Sequence, residues 1–94
     1  MNITHKSQVI TTSGLVGTSG VAGYLKSVTL SLASAASTVN IYDGTSTSGT
    51  LKYQLTSPNT VGFCVSSPPL SIYCASGIYC SVANCNATVE FDGC

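Results

Sequence analysis

Tyr24-Leu25-Lys26-Ser27-Val28-Thr29-Leu30-Ser31-Leu32 is the stretch whose reading decides the fold. Its even positions are Tyr24, Lys26, Val28, Leu30 and Leu32, and Ser27, Thr29 and Ser31 hold the odd ones. Period-two alternation places one set toward a core and the other toward solvent, which is the pattern of a half-buried strand. Leu25, Val28 and Leu32 also share a helical face, but the Ser and Thr content disfavours a helix.

Outward from this strand, short β-type runs alternate with turn residues. On the N-terminal side, Gln8 to Thr12 is β-branched and polar and reads as a first strand. Gly14, Gly17, Gly20 and Gly23 then fall within ten residues, a spacing that predicts a flexible, closely packing loop. On the C-terminal side, Ser34 to Ser37 is a small-residue turn. Val39 to Tyr42 is a second strand, closed by Asp43-Gly44, and Thr45 to Thr50 is a polar loop. Leu51 to Leu55 alternates again, with Leu51, Tyr53 and Leu55 on one side. Ser57-Pro58-Asn59 is a turn, and Thr60 to Val65 is the next strand. Pro68 and Pro69 force an extended connector. Leu70 to Cys74, Gly77 to Ala83 and Ala87 to Phe91 complete the set, with a turn at Asn84-Cys85-Asn86. Ile78, Cys80 and Val82 are expected to join Ala87, Val89 and Phe91 across a hairpin. Seven or eight short strands with regular turn signals predict an all-β chain folded as a single antiparallel β-sandwich or small barrel. Residues 1–22 are expected to form an N-terminal strand and Gly-rich loop, with the option of an extended arm. Residues 23–94 form the sandwich body of the same domain.

Composition narrows the function. The chain has 94 residues, enough for one domain, and 44% are hydrophobic. Only 6% are charged, against roughly 25% in ordinary globular proteins. Lysine and acidic residues balance at a formal net charge of zero. Nucleic-acid binding needs a basic patch, and Lys6, Lys26 and Lys52 are too scattered to make one. Anionic membranes are disfavoured for the same reason. A net charge near zero favours association. Small domains also tend to need covalent staples or oligomerisation.

Catalysis finds no foothold. His5 is the only histidine, and it sits near the N-terminus. There is no arginine to clamp an anion. Glu90 and Asp92 lie two apart on one strand face, a spacing better read as a solvent-facing strand than as a glycosidase pair. Asp43-Gly44 reads as a turn. Gly14 to Gly23 is no nucleotide fingerprint, because it does not lead from a strand into a helix. Neither enzyme activity nor a cofactor is expected.

The cysteines are Cys64, Cys74, Cys80, Cys85 and Cys94, all in the last third of the chain. As disulfide candidates their odd count leaves at least one thiol without an internal partner. Cys94 ends the sequence and is expected to be accessible, and Cys85 is expected to be exposed in its turn. Cys64 and Cys74 flank the Pro-Pro connector and would meet if their strands pair. We expect a mixture of internal bridges and at least one bond between chains. A metal site is disfavoured, since no close C-x2-C pair exists. Plain core packing is the third reading, and for Cys80, between Ile78 and Val82, it is as good as a bridge. Tyrosine supplies five of the seven aromatics. Tyr73, Tyr79 and Tyr42 are interface candidates, because tyrosine offers apolar area with a polar tip.

Tyr24-Leu-Lys-Ser-Val-Thr-Leu, Val39-Asn-Ile-Tyr-Asp-Gly-Thr-Ser-Thr-Ser-Gly-Thr, Gly77-Ile-Tyr-Cys-Ser-Val and Asn86-Ala-Thr-Val-Glu-Phe together resemble small virion proteins of tailed bacteriophages. The resemblance runs from Gly23 onward. It implies a jelly-roll-like or immunoglobulin-like sandwich and a capsid cement (decoration) protein. The implied partners are further copies of itself, as a trimer, and the major capsid protein. The alternative is a head-fibre or tail adhesion module that binds host surface glycan. The cysteines depart from the family pattern and imply covalent locking. The first segment, Met1 to Lys6, lacks the apolar stretch of a signal peptide. Synthesis in the host cytoplasm and use on the capsid surface would reconcile that with five cysteines, a count more typical of secreted proteins.

Overall fold

The computed structural model describes residues 5–31, 35–57 and 65–94. These residues form nine strands: β1 (His5–Ile10), β2 (Gly14–Val16), β3 (Gly23–Ser31), β4 (Ser37–Asp43), β5 (Thr50–Ser57), β6 (Val65–Ser66), β7 (Ile72–Cys74), β8 (Ile78–Ala83) and β9 (Asn86–Asp92). They make two antiparallel sheets. The first has the order β1-β9-β3-β6, with β7 also on β3, and the second has the order β2-β8-β4-β5. The Cα extents are 39 × 31 × 18 Å, and the thin dimension fits two stacked sheets about 10 Å apart with their backbones and loops.

β6 and β7 are two pieces of one edge strand. Ser67 N–H donates to the Val28 carbonyl and Leu70 N–H to the Lys26 carbonyl, each at 2.8 Å, so the segment follows β3 throughout. Pro68 and Pro69 interrupt the ladder because they have no N–H to give, and proline belongs on such an edge. Counting β6 and β7 as one strand, the ladders nest: β1 with β9, β2 with β8, β3 with β6/β7, and β4 with β5. A long hairpin folded over itself in this way is a jelly roll. The sandwich expected from strand count and turn spacing is therefore present.

The core lies between the sheets. Leu25, Val28 and Leu30 of β3 and Ala87, Val89 and Phe91 of β9 face Val39 and Ile41 of β4 and Ile78 and Cys80 of β8, all at most 3% exposed. Each fully buried aliphatic of this size contributes on the order of 1.5–3 kcal/mol.

Several sequence expectations change. The phase of β3 is not simply even against odd. Its register shifts between Leu25 and Ser27, so Lys26 forms a bulge. Leu25 and Val28 both point inward, whereas Tyr24 is 44% exposed. A second shift, between Ile41 and Tyr42, sets Leu51 opposite Tyr42 and turns it outward, away from Leu55. Gly14–Val16 is a strand rather than loop. Gln8 holds it to β1: its Nε2 donates to the Leu15 carbonyl at 3.0 Å, and its Oε1 accepts from Gly17 N–H at 2.9 Å. β8 and β9 do not form a hairpin. The turn at Asn84, whose φ is 63°, carries the chain from one sheet to the other. Their inward residues meet across the core instead. Ser57, expected to open a turn, ends β5 opposite Ser37; Pro58 and Asn59 of that turn, most of the Thr60 to Val65 strand and Cys64 lie outside the described residues.

Candidate functional site

The three tyrosines singled out as interface candidates divide between the two outer faces. On the four-stranded sheet, register aligns one residue from every strand. Leu15 is opposite Tyr79, Tyr79 is opposite Tyr42, and Tyr42 is opposite Leu51. Their inward neighbours Val16, Ile78, Cys80 and Ile41 fill the core, so strand alternation sends this row to the surface. The Tyr42 and Tyr79 rings lie 6.4 Å apart at 58°. Leu51 is 49% exposed. The result is an apolar bar about 15 Å long, running perpendicular to the strands and crossing the whole sheet. The adjacent row is polar: Gln54 Nε2 donates to Asn40 Oδ1 at 2.8 Å.

The opposite face has a different chemistry. Tyr73 pairs with Tyr24, and Tyr24 pairs with Asp92. The two rings lie 5.1 Å apart. Lys26 Nζ stands 5.6 Å from the Tyr24 ring centroid and 3.9 Å from Asp92 Oδ2. Along β9, Glu90 accepts a hydrogen bond of 2.5 Å from Ser27 Oγ. Glu90 and Asp92 thus share a face, as their spacing predicts, but each is engaged by a residue of β3. Lys26, Ser27, Pro69, Leu70 and Glu90 help to line a shallow depression of about 450 Å³ beside them.

The cysteines are where the sequence expectations differ most from the structure. Cys74, Cys80, Cys85 and Cys94 are all free thiols and all buried. The exposure expected of Cys85 and Cys94 is overturned. Cys94 is 3% exposed because Gly17 and Gly23 leave a slot for it, and Thr18 N–H donates to its carbonyl at 2.9 Å. Cys85 is drawn in toward Thr38, whose carbonyl lies 3.9 Å from its Sγ. Burial pushes the Cys80 thiol up to about 12, with Cys85 adding to the effect. Burial, then the Asp43 carboxylate, pushes Cys74 up to about 11. Burial also raises Cys85 and Cys94 above the usual thiol range. Such thiols are poor nucleophiles and poor metal ligands at neutral pH. Among the described residues, no three His, Cys, Asp or Glu side chains gather in a way that would hold a metal ion.

The bars of apolar and aromatic side chains were half legible. Alternation alone turns Tyr79 outward, but the alignment with Leu15 and Leu51 depends on pairings that no local pattern reveals. No family model, curated protein or solved structure matches this chain.

Proposed function

We propose that this chain is a non-catalytic association module, a structural virion protein of the capsid cement type. In this reading it binds further copies of itself, as a trimer, and a capsid shell through the outer face of the four-stranded sheet. The observation that carries the proposal is the Leu15–Tyr79–Tyr42–Leu51 row. Aromatic and aliphatic groups are enriched at interface centres and charges are depleted there, and none of these four is charged. The jelly roll supports the reading as a fold that viral capsid domains use, but fold alone assigns no function. The resemblance in the Tyr24, Val39, Gly77 and Asn86 segments points the same way. Sedimentation of the purified protein, with and without the Tyr42→Ser, Tyr79→Ser double substitution, tests it. A concentration-dependent oligomer that the double variant loses is the expected result. A wild type that stays monomeric at high concentration and does not bind capsids refutes it.

The opposite face favours a second reading, glycan adhesion. Tyr24 and Tyr73 offer ring area beside the Lys26–Asp92 pair, a mixture of stacking surface and hydrogen-bonding groups suited to a sugar. A glycan array with wild type and Tyr73→Ala separates this reading from the first.

A further inference from the structure

Two cysteines converge on the space left by one missing side chain. Gly23 is the register partner of Cys74 in the β3–β7 ladder. Directly opposite residues hold their Cβ positions about 4.5–5.5 Å apart and on the same face. That face is the core, since Cys74 is fully buried. From the other flank of β3 comes the chain that leaves β9. It turns at Gly93, whose φ is 90°, and a Cβ there would stand 3.4 Å from the Gly23 Cα. The backbone has therefore crossed toward β3 instead of continuing in its own strand position. A Cβ on Gly23 would stand 2.6 Å from Cys94 Sγ and 3.1 Å from Cys94 Cβ. The Cys94 thiol fills the slot that a side chain at position 23 would occupy, one cross-strand spacing from Cys74.

We propose that Cys74 and Cys94 are an internal disulfide pair, closed across β3 through the gap at Gly23. The reaction is thiol–disulfide exchange with a small-molecule disulfide such as oxidised glutathione. Both thiols are buried, so the exchange runs through a local opening that exposes one of them; its thiolate then attacks that disulfide, releasing one small thiol and forming a mixed disulfide. The second cysteine loses its proton, displaces the other small thiol, and closes the S–S bond. Two cysteine thiols are oxidised by two electrons and one small disulfide is reduced to two thiols. The bond closes a loop of about 20 residues containing all of β8 and β9, the strands that contribute to both sheets. A loop of that length raises the thermal midpoint of a domain this size by on the order of 10 °C. This inference is independent of any virion role.

Peptide mapping of the full-length protein tests it. Trypsin is unsuitable because no lysine follows Lys52, so all five cysteines fall in one fragment. Chymotrypsin cuts after Tyr73, Tyr79 and Phe91 and separates Cys74 and Cys94 from each other and from Cys80 and Cys85. After equilibration with oxidised glutathione and alkylation, the expected species is Cys74–Tyr79 joined to Asp92–Cys94. It should have a mass two hydrogens below the sum of the separate peptides. A Cys64→Ser, Cys80→Ser, Cys85→Ser variant should form the same bond and remain a single chain on a non-reducing gel. Two alkylated thiols at positions 74 and 94, a Cys74 bond to another position, or a Cys94 bond between copies would each overturn the pairing. If the triple variant fails to fold, the wild-type map alone decides.

Discussion

Gly23→Ala is the sharpest test of how the cysteine-rich end of the sandwich is packed. Gly23 is outside the left-handed region, so alanine meets no backbone penalty there. On conformational grounds alone the change would stabilise by about 0.4–1 kcal/mol, because it restricts the unfolded chain. The structure predicts the opposite sign. The new Cβ would stand 2.6 Å from Cys94 Sγ, 2.8 Å from the Asp92 carbonyl oxygen and 3.1 Å from Cys94 Cβ. One neighbour is backbone and another is a thiol that is itself confined by Gly17. Overpacking of this kind costs about 1–3 kcal/mol, which leaves a net loss of about 1–2 kcal/mol. Urea unfolding under reducing conditions reads this as a midpoint lower by roughly 1 M, since small domains lose about 1–3 kcal/mol per molar urea. Cys94→Ala removes the nearest clashing atom, so the double variant should be more stable than the two single losses added together, by about 1 kcal/mol. A Gly23→Ala protein as stable as wild type, or single losses that simply add, would refute the packing of Cys94 against Gly23.

Alkaline pH gives a second prediction. The unfolded chain releases its cysteine protons near pH 9, whereas folded Cys74 and Cys80 keep theirs to about 11 and about 12. Their contribution is complete below pH 9 and is lost as pH rises from 9 to 12. At about 1.4 kcal/mol per unit, it amounts to about 3 and 4 kcal/mol respectively. Wild type should therefore lose stability relative to Cys80→Val as pH rises above 9, and parallel curves would show that Cys80 does not carry the effect. At the β8–β9 crossover, Asn84→Val should cost about 1–3 kcal/mol by forcing a branched residue to a φ of 63°. Asn84→Gly should cost less, losing chiefly the 3.1 Å bond from Asn84 Nδ2 to the Ala36 carbonyl. Equal losses for the two would argue against backbone strain. Ser37→Ala should cost about 1–3 kcal/mol in thermal unfolding, because the buried hydroxyl serves the Ala35 and Asn84 carbonyls at 2.8 and 2.9 Å.

Alternation and turn residues were enough to read the strand content and the sandwich class. The central segments of β3, β4, β8 and β9 have one clean buried face, and period two reports it directly. What local pattern could not report was pairing. The bulge at Lys26 is invisible because Tyr24, Leu25, Val28 and Leu30 are all large, so either phase looks plausible on hydrophobicity alone. The strand at Gly14–Val16 is only three residues long and sits among glycines, so its turn-like composition outweighed its single buried valine. Its pairing with β8 and the Gln8 clamp are long-range facts. The cysteines were misjudged for a related reason. Position in the sequence suggested exposure for Cys85 and Cys94, but the nested ladders bring the segments around Gly17, Gly23, Cys74 and Cys94 to one end of the sandwich. There the glycines make room for a thiol.

The two aromatic surfaces also make a prediction about independence. The Tyr42–Tyr79 pair and the Tyr24–Tyr73 pair lie on opposite outer faces of a body whose thinnest Cα extent is 18 Å. Sites more than about 7–10 Å apart that share no partner combine additively, to within a few tenths of a kcal/mol. Tyr42→Ser with Tyr79→Ser should weaken self-association and leave any sugar binding intact. Tyr24→Ser with Tyr73→Ser should do the reverse, and the four changes together should show the sum of both losses. The faces differ in salt response as well. The four-stranded face offers an uncharged bar, so association through it should hold from low to high ionic strength. A ligand held beside Lys26 and Asp92 meets half-buried charges, so binding of a charged sugar there should weaken toward 1 M salt, where the Debye length falls to about 3 Å. Titrating both variant pairs at low salt and at 1 M gives four measurements. If Tyr24 and Tyr73 proved necessary for self-association, or if association through Tyr42 and Tyr79 collapsed in salt, the assignment of one contact chemistry to each face would fail.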